Sequence, residues 1–136
     1  MNSKSESPEA WLQIAQEDID AARKLASPPS PIWGAAVYHC QQAAEKAIKA
    51  LLVLHGENPP KRKGHDIGFL LETLEKYADD LNDLDVEAES LTDFATRYRY
   101  PSFNVQPLSQ EVVEKAIADA EIFVNRAKTH LGKIET

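Results

Sequence analysis

The sequence has little cysteine, little glycine and no long apolar run. Cys40 is the single cysteine in 136 residues, which excludes an internal disulfide and fits a reducing compartment. Five glycines are too few for a turn-rich β-sandwich. The longest aliphatic run, residues 50–54, is far too short to span a membrane, and the N-terminal segment has no apolar signal-peptide core. These absences predict a cytoplasmic protein that does not interact with membranes.

The familiar catalytic and metal-binding motifs are also absent. There is no glycine-rich phosphate loop, no G-x-S-x-G, no H-E-x-x-H and no Glu-x-x-His pair. Four histidines on different predicted elements, with one cysteine, make no zinc-binding spacing. We therefore expect no metal and no cofactor. The net charge of -7 argues against a general electrostatic hold on nucleic acid, so any anion site must be a local patch.

Apolar residues at helical spacing are what the chain has instead. They predict helices at about residues 8–26, 32–55, 67–78, 85–99 and from 109 onward, with caps at Ser7, Asp66 and Asp85. Prolines between residues 27 and 31 make a stiff corner after the first helix. The pattern predicts an all-α protein, an antiparallel up-and-down bundle of four main helices plus one short helix. We expect one domain over residues 1–136, with its core at about 7–131.

One stretch, "TRYRYPSFN" at residues 96–104, combines arginines with aromatic residues at a helix end. Pro101 should end the fourth helix near Arg99. The guanidinium groups of Arg97 and Arg99 could bind phosphate bidentately, while Tyr100 and Phe103 could stack on a base. The alternative interpretation is that these cations only complement the helix macrodipole.

Further positive charge lies in the loop before the third helix and along the second helix. Lys61, Arg62 and Lys63 are predicted to attract anions without base preference, and Lys46 and Lys49 could add to the same patch. His39 lies on the polar edge of the second helix, where a hydrogen-bonded surface histidine is the simpler interpretation.

At this point the chain resembles a known family. Residues 36–77 look like the central helix-loop-helix of HEPN domains, which are helical bundles named for nucleotide binding in higher eukaryotes and prokaryotes. "QQAAEKA" at 41–47 and the Gly-His-Asp-x-x-x-Leu-Leu turn at 64–71 are the most specific parts. "RYP" at 99–101 lies where one subfamily has it, and the resemblance spans about residues 7–131.

The resemblance implies several functions. Some HEPN proteins are ribonuclease toxins encoded beside a minimal nucleotidyltransferase, with an active-site arginine followed after four to six residues by a histidine, and dimerisation brings two such motifs together. Others bind nucleotides or act as interaction modules. In this chain the position after Arg99 that matches the histidine is Asn104. Asparagine forms hydrogen bonds but cannot exchange a proton at neutral pH.

We therefore expect a homodimeric HEPN protein that binds a nucleotide or RNA, in a two-gene system with a minimal nucleotidyltransferase partner. Arg99 is the first candidate for the phosphate contact, with Arg97 and Asn104 beside it. One alternative is a metal-independent ribonuclease toxin in which His39 or His65 replaces the missing histidine. Another is a non-catalytic interaction module.

Overall fold

The computed structural model describes residues 7–59, 66–99 and 108–135, with the backbone alone at 95, 98, 99, 134 and 135. These ranges contain five helices and no strand. The helices are α1 (Pro8–Ala26), α2 (Trp33–Leu54), α3 (Ile67–Leu74), α4 (Asp85–Arg99) and α5 (Gln110–Glu135). The prediction of an all-α protein is confirmed.

Side-chain caps begin three of the helices. The Ser7 hydroxyl accepts the backbone N–H of Ala10 at 3.1 Å, with Pro8 at the first helical position. The Asp66 carboxylate accepts the N–H of Phe69 at 3.1 Å, and Ser109 caps α5 in the same way. These caps satisfy N–H groups that have no partner within their own helix.

Two boundaries differ from the sequence-based prediction. Asp85 is the first residue of α4 rather than its cap. Helix α3 ends at Leu74 instead of continuing to residue 78. After Leu74 the chain tightens into turns, in which Tyr77 N–H donates to Leu74 O at 2.8 Å. This early end has a packing reason, since it lets the chain turn and bury Leu81, which is 1% exposed.

Contacts between side chains define how the outer helices run. Arg23 of α1 pairs with Glu121 of α5 at 2.7 Å, and Gln16 accepts a hydrogen bond from Lys128 at 2.7 Å. Residues earlier in α1 therefore contact residues later in α5, and the two helices are antiparallel.

Helix α2 is antiparallel to α1 and parallel to α5. Asp18 contacts His39 near the start of α2, whereas Trp11 lies near Lys49 towards its end. We call the end of the bundle where α2 and α5 finish the lower end.

Helix α4 begins at the lower end. Arg126, near the end of α5, bonds to Asp83 just before α4, and α4 then packs along α2. Its last residue, Arg99, therefore lies towards the upper end, where α2 begins. The described residues form an up-and-down bundle of four main helices with α3 inserted between α2 and α4.

The core surrounds α2, which contacts the other four helices. Small side chains on α2, including Ala43 and Ala47, are fully buried and allow close approach of its neighbours. Phe123 of α5 is the largest fully buried side chain. Cys40 is buried, and burial raises the pKa of its thiol to about 12, so it is a core residue rather than a nucleophile.

None of the helices in the described part of the chain is long and apolar enough to cross a membrane.

Candidate functional site

Most of the predicted binding residues lie outside the described part of the chain. These are Lys61, Arg62, Lys63, His65, Tyr100, Phe103 and Asn104. For Arg99 the structure describes the backbone, and for Arg97 and His39 it describes the side chain as well. The site can therefore be built from the end of α4 and from the polar face of α2.

The structure describes α4 as far as Arg99, and Pro101 is predicted to end the helix close to this residue. The last described turn lies towards the upper end of the bundle. The carbonyl groups at a helix C-terminus carry partial negative charge, so they attract cations and repel anions. Any phosphate bound here would depend on side-chain charge, since the backbone opposes it.

The Arg97 side chain lies on the surface of α4 that is next to α3. Its Nε donates to Asp93 at 3.1 Å, and both side chains are about half exposed. The pair lines a groove of about 750 Å³ between α3 and α4. Five carboxylates line this groove: those of Asp66, Glu72, Asp85, Glu89 and Asp93. Arg97 is the one basic residue among the described residues that line it, so the groove is negative and disfavours phosphate.

His39 contacts a carboxylate that the sequence analysis did not single out. Its Nδ1 lies 2.8 Å from Asp18 Oδ1, and Asp18 is only 7% exposed. Lys46 Nζ donates to the other oxygen of the same carboxylate at 2.7 Å. The His39 ring is 32% exposed. When its Nδ1–H donates to Asp18, Nε2 carries the lone pair that can take a proton from a ligand.

A second buried carboxylate lies further along α2. Glu45 is 2% exposed and accepts hydrogen bonds from Gln41 at 3.1 Å and from Lys49 at 2.8 Å. Gln42 donates to Gln41 Oε1 at 2.8 Å, which extends the network towards the surface. Lys49 also lies 5.6 Å from the centre of the Trp11 ring.

These networks change the interpretation of the lysines on α2. Lys46 neutralises the buried Asp18 carboxylate, and Lys49 neutralises that of Glu45. A buried carboxylate needs such a partner, because an unpaired charge inside a protein is strongly unfavourable. Both lysines therefore stabilise the fold, and this face of α2 offers no excess positive charge for phosphate.

Within residues 7–59, 66–99 and 108–135, no cluster of three histidine, cysteine or acidic side chains is arranged to hold a metal ion.

Comparison with known proteins agrees with the helical bundle. A family model for the HEPN domain matches residues 8–130, and the chain belongs to this family. A protein of Methanocaldococcus jannaschii named "Putative toxin MJ1304" is 26% identical over 122 residues, which cover 82% of this chain and 79% of that protein. The crystal structure of TT1696 from Thermus thermophilus matches with a TM-score of 0.78 and 25% identity, covering 90% of this chain and 96% of that one.

Proposed function

We propose that this HEPN protein binds a nucleotide or RNA at the upper end of the bundle, with Arg99 as the main phosphate contact. The observation that supports this proposal is that α4 extends as far as Arg99, so that this residue lies towards the upper end of the bundle. Asn104 is assigned beside it, and Tyr100 and Phe103 are assigned to base stacking. Arg97, which was predicted to share this role, pairs with Asp93 in the acidic groove and is no longer assigned to the phosphate.

The lack of other available positive charge among the described residues of α2 and α4 explains why Arg99 is central to this proposal. The chain carries a net charge of -7, and the lysines of α2 are paired with buried carboxylates. The helix C-terminus also disfavours an anion. Binding energy for phosphate must therefore come mainly from Arg99 at the end of the described part of α4, assisted by the basic loop at residues 61–63. A bidentate arginine contact of this kind contributes about 1.5–3 kcal/mol.

The experiment measures binding of a fluorescent short RNA and of a nucleotide at low salt. Arg99→Ala should lower affinity by at least about tenfold, and Arg99→Lys should recover only part of the loss because an ammonium lacks the planar fork. Lys128→Ala is the control, because it removes one positive charge from an exposed side chain whose described contact is with the neutral Gln16. Equal affinities for the parent and Arg99→Ala would refute the phosphate contact.

A metal-independent ribonuclease toxin is the second candidate function, and the Asp18–His39 pair favours it. A relative named as a toxin gives it further support. In this mechanism Asp18 accepts the Nδ1–H of His39, and His39 Nε2 takes the proton from a ribose 2′-hydroxyl. The 2′-oxygen attacks the adjacent phosphorus, forms a cyclic phosphate and expels the 5′-oxygen, which receives a proton from water. Arg99 would stabilise the charge on the phosphate.

Cleavage assays separate the two functions. If the protein is a binding module, the parent cleaves RNA poorly even at high protein concentration, and Asn104→His would raise the rate if the geometry is kept. Robust cleavage by the parent that His39→Ala or His65→Ala abolishes would establish the ribonuclease. Lys128→Ala again serves as the control, because it should leave cleavage unchanged.

The partners belong to the same proposal. We propose a homodimer that brings two Arg99 residues together, and a minimal nucleotidyltransferase as the second protein of the system. The name of the Methanocaldococcus relative supports the idea of a partner, because a toxin requires a means of control. Copurification from the native cell, with bound protein and nucleic acid both identified, tests these assignments.

A further inference from the structure

Two histidines that are far apart in sequence meet at the lower end of the bundle. His55 follows α2 as its C-cap, and His130 lies near the end of α5. Their Nε2 atoms are 2.9 Å apart and their ring centres 5.2 Å apart. The distance between the ring centres exceeds the Nε2–Nε2 distance by nearly the sum of the two ring radii. The two Nε2 atoms therefore lie almost on the line that joins the ring centres and point directly at each other. This is the geometry of an N–H···N hydrogen bond rather than of two nitrogens converging on a metal ion.

The pair is held from several elements. His130 is 8% exposed, and its Nδ1 lies 3.2 Å from the carboxylate of Asp80, in the turn after α3. On the other side, Tyr77 stacks on His55 at 5.5 Å between ring centres, and its hydroxyl donates to Glu57 at 2.8 Å.

Among the described residues, two cations of α5 lie beside Asp80. Lys133 Nζ lies 4.0 Å from the Asp80 carboxylate, and Arg126 donates to the backbone oxygen of Asp80. These cations partly offset the negative charge of Asp80, so the carboxylate stabilises a protonated histidine less than an unpaired carboxylate would.

A head-on pair of imidazoles can share one proton but not two. With one proton between the Nε2 atoms, one ring donates and the other accepts. When both nitrogens of each ring are protonated, both rings are positively charged. Two N–H groups then face each other and two positive charges lie a few ångströms apart. The hydrogen bond is then lost and the charges repel.

We propose that His55 and His130 form a pH-sensitive latch, closed at neutral pH, that joins the ends of α2 and α5 and opens when both rings are protonated. Opening would separate the last turns of α5 from the end of α2 and from the turn at Asp80. The latch lies at the opposite end of the bundle from Arg99, so it is independent of the proposed binding function.

The direction of the pH effect follows from the surroundings of His55. Burial lowers its pKa below the ordinary value of 6.5, and the neighbouring His130 lowers it further. Asp80 and the C-terminus of α2 favour the charged ring, but they do not outweigh burial. The unfolded chain therefore binds more protons below pH 6.5. The stabilising contribution of the pair is present above that pH and is lost as the pH falls through the lowered pKa.

The test is urea unfolding of the full chain between pH 7.5 and pH 5, with the parent compared with His55→Gln. Glutamine keeps an N–H donor for His130 but cannot take up a proton. One additional proton bound on unfolding changes the folding equilibrium constant by up to about tenfold per pH unit. We expect His55→Gln to fold at pH 7.5 and to lose most of this dependence. An unchanged dependence in the variant would overturn the proposal.

Titration of the histidine ring protons by NMR provides a second test that needs no His55 variant. In the parent, His55 should titrate below pH 6.5, and in His130→Gln its midpoint should rise because the neighbouring charge is gone. The ring signals of His39, at the other end of the bundle, are the control and should overlay in the spectra of the two proteins at pH 7.5. A His55 midpoint at or above 6.5 in the parent, or one unmoved by His130→Gln, would also overturn the proposal.

Discussion

Replacing Asp18 with asparagine tests the buried network behind His39. The change keeps the size of the side chain and removes its negative charge. Asp18 is 7% exposed and accepts one contact from His39 at 2.8 Å and one from Lys46 at 2.7 Å. The neutral amide would leave the Lys46 ammonium, whose side chain is only 21% exposed, without its counter-charge. We expect a clear loss of stability.

The magnitude follows from the two contacts and their partial exposure. A hydrogen bond to a charged group contributes about 1.5–3 kcal/mol, and breaking a fully buried ion pair costs about 3–5 kcal/mol. Water reaches the Lys46 and His39 side chains, which are 21% and 32% exposed, and reduces the loss. We therefore expect Asp18→Asn to lower the free energy of unfolding by about 2–3 kcal/mol. In urea this moves the unfolding midpoint by about 1–2 M.

Asp20→Asn is the matched control on the same helix. The Asp20 side chain is 63% exposed and contacts Arg23 at 3.7 Å, so the same chemical change should alter stability by less than about 0.5 kcal/mol. Equilibrium urea unfolding at pH 7 measures both variants. If Asp18→Asn falls within about 0.5 kcal/mol of the parent, as this control is expected to do, the buried carboxylate does not hold α1 against α2 as we argue.

Two further predictions concern the binding proposal. Replacing Lys61, Arg62 and Lys63 together with alanine should weaken binding equally for every RNA sequence and flatten its salt dependence, because these charges contact phosphates rather than bases; an unchanged salt slope would make the loop a simple connection. Light scattering should give a dimer rather than a monomer of 15.1 kDa at micromolar concentration, because the proposed site brings two Arg99 residues together; the alanines of α2 do not supply the interface, since Ala36, Ala43 and Ala50 are fully buried within one chain. A monomer throughout that range would disprove the dimer.

Helical periodicity predicted most of the fold because each helix has one apolar stripe. The apolar stripe of α5 from Val113 to Leu131 is buried, and α4 extends as far as Arg99, as its apolar spacing predicts. The end of α3 could not be predicted in the same way. Its local sequence continues to favour helix, and the early turn depends on burying Leu81 and Leu84 against other elements.

The pairing of the buried carboxylates was not predicted, although the sequence contained a signal that Asp18 is buried. Asp18 lies three residues after Ala15 and four before Ala22, both of which are fully buried, so helical spacing places it on the apolar face. A charged residue in such a position requires a partner of opposite charge from another helix. The identity of that partner, Lys46, depends on how α1 and α2 align, and local periodicity does not define this alignment.

His55 and His130 illustrate a second reason why some contacts could not be predicted from the sequence. His55 and His130 are 75 positions apart, and their spacing fits no known motif. They meet because α2 and α5 run parallel and finish at the same end of the bundle. Parallel neighbours are separated by other helices in the chain, so their contacts are the least visible in a sequence.

The distribution of charge around the candidate site determines how its affinity for phosphate should depend on salt. Lys46 and Lys49 are paired with buried carboxylates, and Arg97 lies in an acidic groove. Among the described residues of α2 and α4, these three cations are therefore not available for phosphate. Arg99 should account for a large share of the affinity, and the salt dependence should be modest, with the loop at residues 61–63 as its main source. A nucleic-acid-binding protein with a broad basic surface behaves in the opposite way, with a steep salt dependence and little loss from any single substitution. Measuring the salt slope together with Arg99→Ala therefore distinguishes a site built around one arginine from diffuse electrostatic attraction.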